Sequence, residues 1–178
     1  MRNLDEAARE FASAVEEAGG HCMFVGGLVV AIWGAPRFTQ DVDVLLAIEE
    51  KQIPLLVAAL HKRGLDTTVF DMVEGRRERS HVTVRESQDL WVDVKFALTQ
   101  DEVDQVGNAV DVEGVPVSGI EETIAYKILY ESDKDRQDVR SIIGVSPVNE
   151  TKLRGIMERL GLSFRRYQQL KKGVTRVR

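Results

Sequence analysis

Apolar positions recur at helical spacing near the start of the chain: Leu4, Ala8, Phe11, Val15 and Ala18 share one face, and Gly19-Gly20 stops the helix. A short apolar run, His21 to Val25, ends in Gly26-Gly27, after which Leu28 to Trp33 is apolar on every side and stops near Gly34-Ala35-Pro36. This pattern predicts a strand, a glycine turn and a buried helix. Thr39 to Leu46 alternates polar and branched residues, as a half-buried strand does. A further helix is expected over Ile53 to Arg63, where Leu56, Ala59 and Leu60 share a face ahead of Gly64.

The middle of the chain reads as β structure. Asp66 to Phe70, His81 to Arg85 and Leu90 to Leu98 are strand candidates, with a hairpin loop at Glu86-Ser87-Gln88-Asp89 and a charged loop over residues 74–79. Glu113-Gly114 turns a short hairpin. Ser118-Gly119-Ile120-Glu121 has the spacing of a capping box opening a helix through Tyr130. Beyond it, Asp133, Asn149 and Ser163 are expected to cap helices running through Ile143, Leu160 and Lys171. The organisation is an α/β body over residues 1–117 and a helical region, 118–178, packing on it.

Composition narrows the function classes. The 178 residues are 43% hydrophobic and 30% charged, which suits one globular domain with a small helical appendage. The longest apolar stretch, Phe24 to Ala35, contains three glycines and falls well short of the roughly 20 residues that span a bilayer, so no membrane role is expected. The first residues turn acidic at once and lack the apolar core of a signal peptide, and the single cysteine, Cys22, excludes an internal disulfide. A reducing cytoplasm is the expected location. With a net charge of −5 the protein has no general reason to coat nucleic acid, so such contact must be local. Residues 165–178 carry six basic side chains and no acid, against 18 basic and 29 acidic residues elsewhere. That tail is either a phosphate-binding arm or a frayed, soluble end.

The candidate chemistry starts at Asp41-Val42-Asp43-Val44. Strand periodicity puts both carboxylates on one face, roughly 6.5 Å apart at the α-carbon, with the valines facing the core. Two like charges in so small an area are costly unless solvated or neutralised, and a hard divalent cation is the natural neutraliser; an exposed strand face is the plainer reading. Upstream, Val25-Gly26-Gly27 ends a strand and opens a helix, which suits a phosphate seat or simply a tight turn. Thirteen residues, Leu28 to Gln40, separate Gly27 from Asp41, enough for one helix and a return loop carrying Arg37 and Thr39. Arg37 is either a phosphate clamp or an ordinary surface arginine. A third carboxylate, Asp93, shares a strand face with Lys95 while Val92, Val94 and Phe96 lie on the other. Three carboxylates from two strands can hold two Mg²⁺ ions about 3.5 to 4 Å apart, the geometry that serves phosphoryl transfer.

In order, spacing and context these residues resemble the nucleotidyltransferase superfamily that includes DNA polymerase β: a hydrophobic residue, Gly, Gly or Ser, about a dozen residues, Asp-x-Asp and a later Asp. The stretch Arg37-Phe38-Thr39-Gln40-Asp41-Val42-Asp43 looks most like the AbiEii-type branch, known for toxins of bacterial toxin-antitoxin systems. Lys127-Ile128-Leu129, followed by Lys134-Asp135-Arg136-Gln137-Asp138-Val139, is similar to the helical lysine and Lys-Asp-x-x-Asp segment that closes the nucleotide site in that branch. The resemblance implies an α+β nucleotidyltransferase fold, a mixed β-sheet with flanking helices and a C-terminal helical part. It also implies Mg²⁺-dependent transfer of a nucleoside monophosphate from an NTP such as ATP to an acceptor hydroxyl, with pyrophosphate released.

By the same resemblance Gly26 and Gly27 hold the triphosphate, Asp41 and Asp43 bind metal, and Asp93 helps to ligate metal and orients or deprotonates the acceptor hydroxyl. Lys127 neutralises phosphate charge or, on its residue type alone, snorkels from an apolar helix. Asp135 takes the second motif's polar role, and Asp138 could equally stabilise its own helix. Gly27 stands where some relatives carry a serine hydroxyl. The acceptor is an RNA or tRNA end, a protein side chain or a small molecule such as an aminoglycoside, with Arg76, Arg77, Arg79 and the basic tail favouring RNA. A cognate antitoxin is an implied partner. The rival reading is a non-catalytic nucleotide- or partner-binding module of the same fold.

Overall fold

The computed structural model describes residues 4–36, 39, 41–85 and 90–174. The chain forms two compact units, the first from described residues within 4–28 and 39–118, the second from those within 29–36 and 119–174.

In the first unit, α1 (Leu4–Glu17) buries Ala7, Ala8, Phe11, Ala14 and Val15 on one face. It ends at Gly19, whose φ of +77° is a backbone conformation that side chains resist. Strand β1 (His21–Val25) leads into α2 (Gly26–Trp33), which passes from the first unit into the second. Next come β2 (Asp41–Ala47), a 3-10 turn at Glu50–Gln52 and α3 (Ile53–Lys62). Then follow α4 (Val69–Glu78), β3 (Val82–Arg85), β4 (Trp91–Phe96), α5 (Gln100–Gly107), β5 (Val110–Val112) and β6 (Val115–Val117).

The six strands form one mixed sheet in the order β3-β4-β2-β1-β6-β5. Central β2 runs antiparallel to β1 and parallel to β4, and β3 closes antiparallel on β4. Facing residues across a ladder share a side, so Phe24, Val44, Val94 and Val82 point one way, and the Phe24 ring meets Phe11 of α1 edge to face at 6.2 Å. The other side is divided. Met23 and Leu45 are covered by Val106 of α5. Farther along the same side, Asp43, Asp93 and Thr83 stand in register.

Three local expectations for this unit are corrected. Residues 66–70 are not a strand: Asp66 makes an isolated bridge with Arg85, and from Val69 the chain is helical. The Thr68 hydroxyl caps that helix by accepting from the Asp71 amide, and this outweighs the β-branched run Thr67-Thr68-Val69. The charged stretch 74–79 is consequently the end of α4 and not a loop. Helix α5 was not anticipated, although Thr99 and Glu102 form a reciprocal capping box there. The proposed loop at 86–89 lies outside the described residues.

The second unit contains α6 (Ile120–Tyr130), α7 (Asp133–Val145), α8 (Glu150–Arg159) and α9 (Phe164–Lys171). Ile124, Ile128, Val139, Ile142, Leu153, Met157 and Tyr167 form its core, joined by Val30 from α2. Two caps differ from expectation. Gly119, not Ser118, precedes α6, and Glu121 instead accepts from the Asn149 amide at 2.9 Å and pairs with Lys152. Ser132, not Asp133, caps α7, in a capping box with Asp135. The basic tail is ordered through α9: Phe164 and Tyr167 are buried, Arg166 pairs with Glu131, and Lys171 pairs with Glu150. Residues 175–178 lie outside the described part. Among the described residues, no helix is long and apolar enough to cross a membrane.

Candidate active site

Asp41 and Asp43 alternate with buried Val42 and Val44 along β2, so both carboxylates leave the same face. Parallel pairing with β4 sets Asp43 opposite Asp93. Carboxylate oxygens of Asp41, Asp43 and Asp93 all come within 4.8 Å of one another, and the three side chains are half-buried. Such a group of hard oxygen donors suits a divalent cation of the Mg²⁺ type.

Neutral donors orient two of the three. The Thr39 hydroxyl donates to Asp41 Oδ1 at 2.6 Å. On Asp93, Oδ1 accepts from the Thr83 hydroxyl at 2.8 Å and Oδ2 from the Trp91 indole N–H at 3.2 Å. Among the described residues, neither Asp41 nor Asp93 has an ion-pair partner. Thr83 and Trp91 were missed by sequence reasoning. Their signal was present but weak: Trp91 lies two residues before Asp93 on its face, and Thr83 is the outward position of an alternating Val-Thr-Val strand.

The glycine turn adjoins this cluster. Gly26 follows β1 directly, has φ of +70°, and a Cβ built on it would lie 2.0 Å from Asp43 Oδ2. Glycine is required there twice over, by backbone conformation and because the Asp43 carboxylate rests against its α-carbon. Gly27 is the second residue of α2, where backbone N–H groups have no partner within the helix. Lys95 belongs to the α5-covered part of the same side, its ammonium 3.0 Å from Glu102. Burial works against the charged Glu102, but the Leu98 and Thr99 amides and Lys95 outweigh it and hold its carboxyl at about 2. The single cysteine, Cys22, is buried, which pushes its thiol up to about 12 and leaves it unreactive.

Lys127 belongs to the second unit, where its ammonium lies 2.7 Å from Asp135 and 2.9 Å from Asp138. Burial disfavours that ammonium, yet the two carboxylates raise its affinity for the proton above the usual lysine value. Burial likewise opposes the Asp135 charge, and Lys127 with the Ser132 donors lowers it overall. Lys127 is thus an ion-paired residue and not a snorkelling one. Arg37 lies outside the described residues. Of the three arginines on α4 and its end, Arg77 is engaged by Glu50 and Arg76 donates to the Ile48 carbonyl.

No protein-family model and no curated protein matches the sequence. Likeness is found among solved structures. The solution structure of the antibiotic-resistance factor ANT(2'')-Ia superposes with a TM-score of 0.53 at 14% identity, over 93% of each chain. An antigenic nucleotidyltransferase-like protein from Paracoccidioides brasiliensis superposes with a TM-score of 0.51 at 17% identity, over 98% of this chain and 95% of that one. The fold is the nucleotidyltransferase fold. A crystal structure of ANT(2'')-Ia in complex with adenylyl-2''-tobramycin matches as well, with a TM-score of 0.52 at 14% identity over 85% of this chain and 93% of that one. At such identities the likeness is one of nucleotidyltransferase fold, and chemistry has to be argued from this chain's own residues.

Proposed function

We propose that the protein is a metal-dependent nucleotidyltransferase that moves a nucleoside monophosphate from an NTP to an acceptor hydroxyl. The observation that carries this reading is the convergence of three carboxylates, from β2 and β4, beside a glycine that cannot be replaced without striking one of them. A purely structural acidic face has no need of that glycine contact or of the hydroxyl and indole donors that fix Asp41 and Asp93.

Asp41 and Asp43, with Asp93, would hold Mg²⁺, two ions in the full site. Bound Mg²⁺ would offset charge on the triphosphate and on the developing pyrophosphate. Gly26 and Gly27 would let the backbone approach the triphosphate, with the first N–H groups of α2 turned to its oxygens. The acceptor oxygen forms a bond to the α-phosphorus as the bond to the β-phosphate oxygen breaks and pyrophosphate leaves. Asp93 would orient the hydroxyl and take its proton, since two of a carboxylate's about four lone-pair positions remain after Thr83 and Trp91 are served. Thr39 orients Asp41, and Lys127, Asp135 and Arg37 are assigned to the nucleotide by the motif alone. Catalysis of this kind is mostly positioning and charge neutralisation.

For the acceptor, the ANT(2'')-Ia complex supports a small polyhydroxylated molecule, whereas the reduced basic surface around α4 weakens the preference for RNA. Incubation with each α-labelled NTP and Mg²⁺ against pools of aminoglycosides, tRNA and cell protein names the acceptor by where label appears. Label in no pool, with metal-independent nucleotide binding, would instead mark a binding module. A toxin role would require growth arrest on expression that the Asp41→Ala/Asp43→Ala double variant fails to cause.

A further inference from the structure

The second unit contains a cleft of about 340 Å³, bounded by α6, α7 and α9. Its lining is strongly basic: Arg136 and Arg140 come from α7 and Arg166 from α9, with Lys127 at one wall and Glu131 as the single acid. The ammonium of Lys127 is already taken by Asp135 and Asp138, so the charge left to meet a ligand is that of the three arginines, less what Glu131 and Asp133 offset.

Glu131 has to serve two of them, at 3.8 Å from Arg136 and 3.2 Å from Arg166. Arg136 also reaches Asp133 at 3.4 Å, on the exposed first turn of its own helix. Such half-exposed pairs contribute little and are readily exchanged. Arg140 has no hydrogen-bond or ion-pair partner among the described residues. Three guanidiniums gathered around one concavity repel one another unless an anion joins them, and their planar donor forks match phosphate oxygens two at a time. Gln169 adds an amide to the lining. Arg166 is moreover part of the basic tail, whose helix buries Phe164 and Tyr167 and so holds its exposed guanidinium at the cleft.

We propose that this cleft is a phosphate-binding site that takes a phosphate group through Arg136, Arg140 and Arg166. The group belongs either to a free polyphosphate or to a nucleic-acid backbone. Binding here does not depend on the transfer reaction, so the test uses the full-length Asp41→Asn/Asp43→Asn variant without Mg²⁺. Pyrophosphate and a 12-nucleotide single-stranded RNA are titrated by calorimetry, before and after adding Arg140→Gln and Arg166→Gln. Loss of affinity by tenfold or more for pyrophosphate as well as RNA establishes a free-phosphate site; the same loss for RNA alone establishes a backbone site. Absence of measurable binding, or binding that the two substitutions leave unchanged, overturns the proposal. Arg140→Gln alone, at an exposed residue with no partner, is the control against misfolding and should lower affinity with an unchanged melting temperature. Transfer activity failing in every pool while this binding persists would separate the two readings.

Discussion

Two acidic groups in this molecule are built on opposite principles. Asp135 and Asp138 surround the ammonium of Lys127, and each charge is answered inside the protein. On the sheet, Asp41 and Asp93 are gripped by a threonine hydroxyl, a second hydroxyl and an indole, donors that fix direction without cancelling charge. The first arrangement is balanced within the protein and ties α6 to α7. The second sets three carboxylates within 4.8 Å of one another in a half-buried place, where a cation from outside would relieve the repulsion between them. Acidic residue counts do not separate a structural cluster from a metal seat; the nature of the hydrogen-bond donors does.

The contrast can be broken most directly in the sheet. Asp41→Asn/Asp43→Asn should abolish the heat of Mg²⁺ binding and lower transfer by about a thousandfold or more. Its melting temperature should hold or rise, because repulsion is removed; a marked fall would mean that these carboxylates are structural. The reverse holds for the helical cluster. Lys127→Met leaves Asp135 and Asp138 facing each other with little solvent, and should cost about 3 kcal/mol in urea unfolding, whether or not metal is present. Gly26→Ala joins strain at positive φ to a collision with Asp43, and should cost about 2 kcal/mol together with weakened Mg²⁺ binding.

The smallest effect is a pH dependence at the edge of the acidic face. Glu102 is held at about 2 in the folded protein, below its ordinary 4.5, so its contribution to stability is complete above pH 4.5 and disappears as pH falls towards 2. After allowance for solvent screening this amounts to about 1 kcal/mol. Melting curves for the native protein and Glu102→Gln should converge over that interval, and parallel curves would show that the carboxylate is not protonated differently on folding.

Much of this architecture was legible in the chain. Alternation around Asp41 and Asp43 put both on one face because a strand has a period of two, and Gly26-Gly27 between a strand and an apolar helix marked the turn. What joins Asp93 to them is the parallel β2–β4 ladder, a pairing across some 50 residues that no local pattern encodes. Helix α4 was hidden for another reason. Thr67, Thr68, Val69 and Phe70 favour a strand by composition, and one hydroxyl at Thr68 decides otherwise. The partner of Lys127 was legible as a motif but not as a contact, since a lysine on a mostly apolar helix gives no sign of what lies across from it.

The position of β2 in the sheet has a consequence for synthesis. Because β4 follows α3, α4 and β3 in the chain, β2 would wait during synthesis with one flank open after its other flank had paired with β1. Asp41 and Asp43, on one face of that strand, would discourage another nascent chain from docking there. The same two charges that would later grip an ion thus guard an unfinished edge, so variants that neutralise them are expected to aggregate during translation even where the finished protein is no less stable.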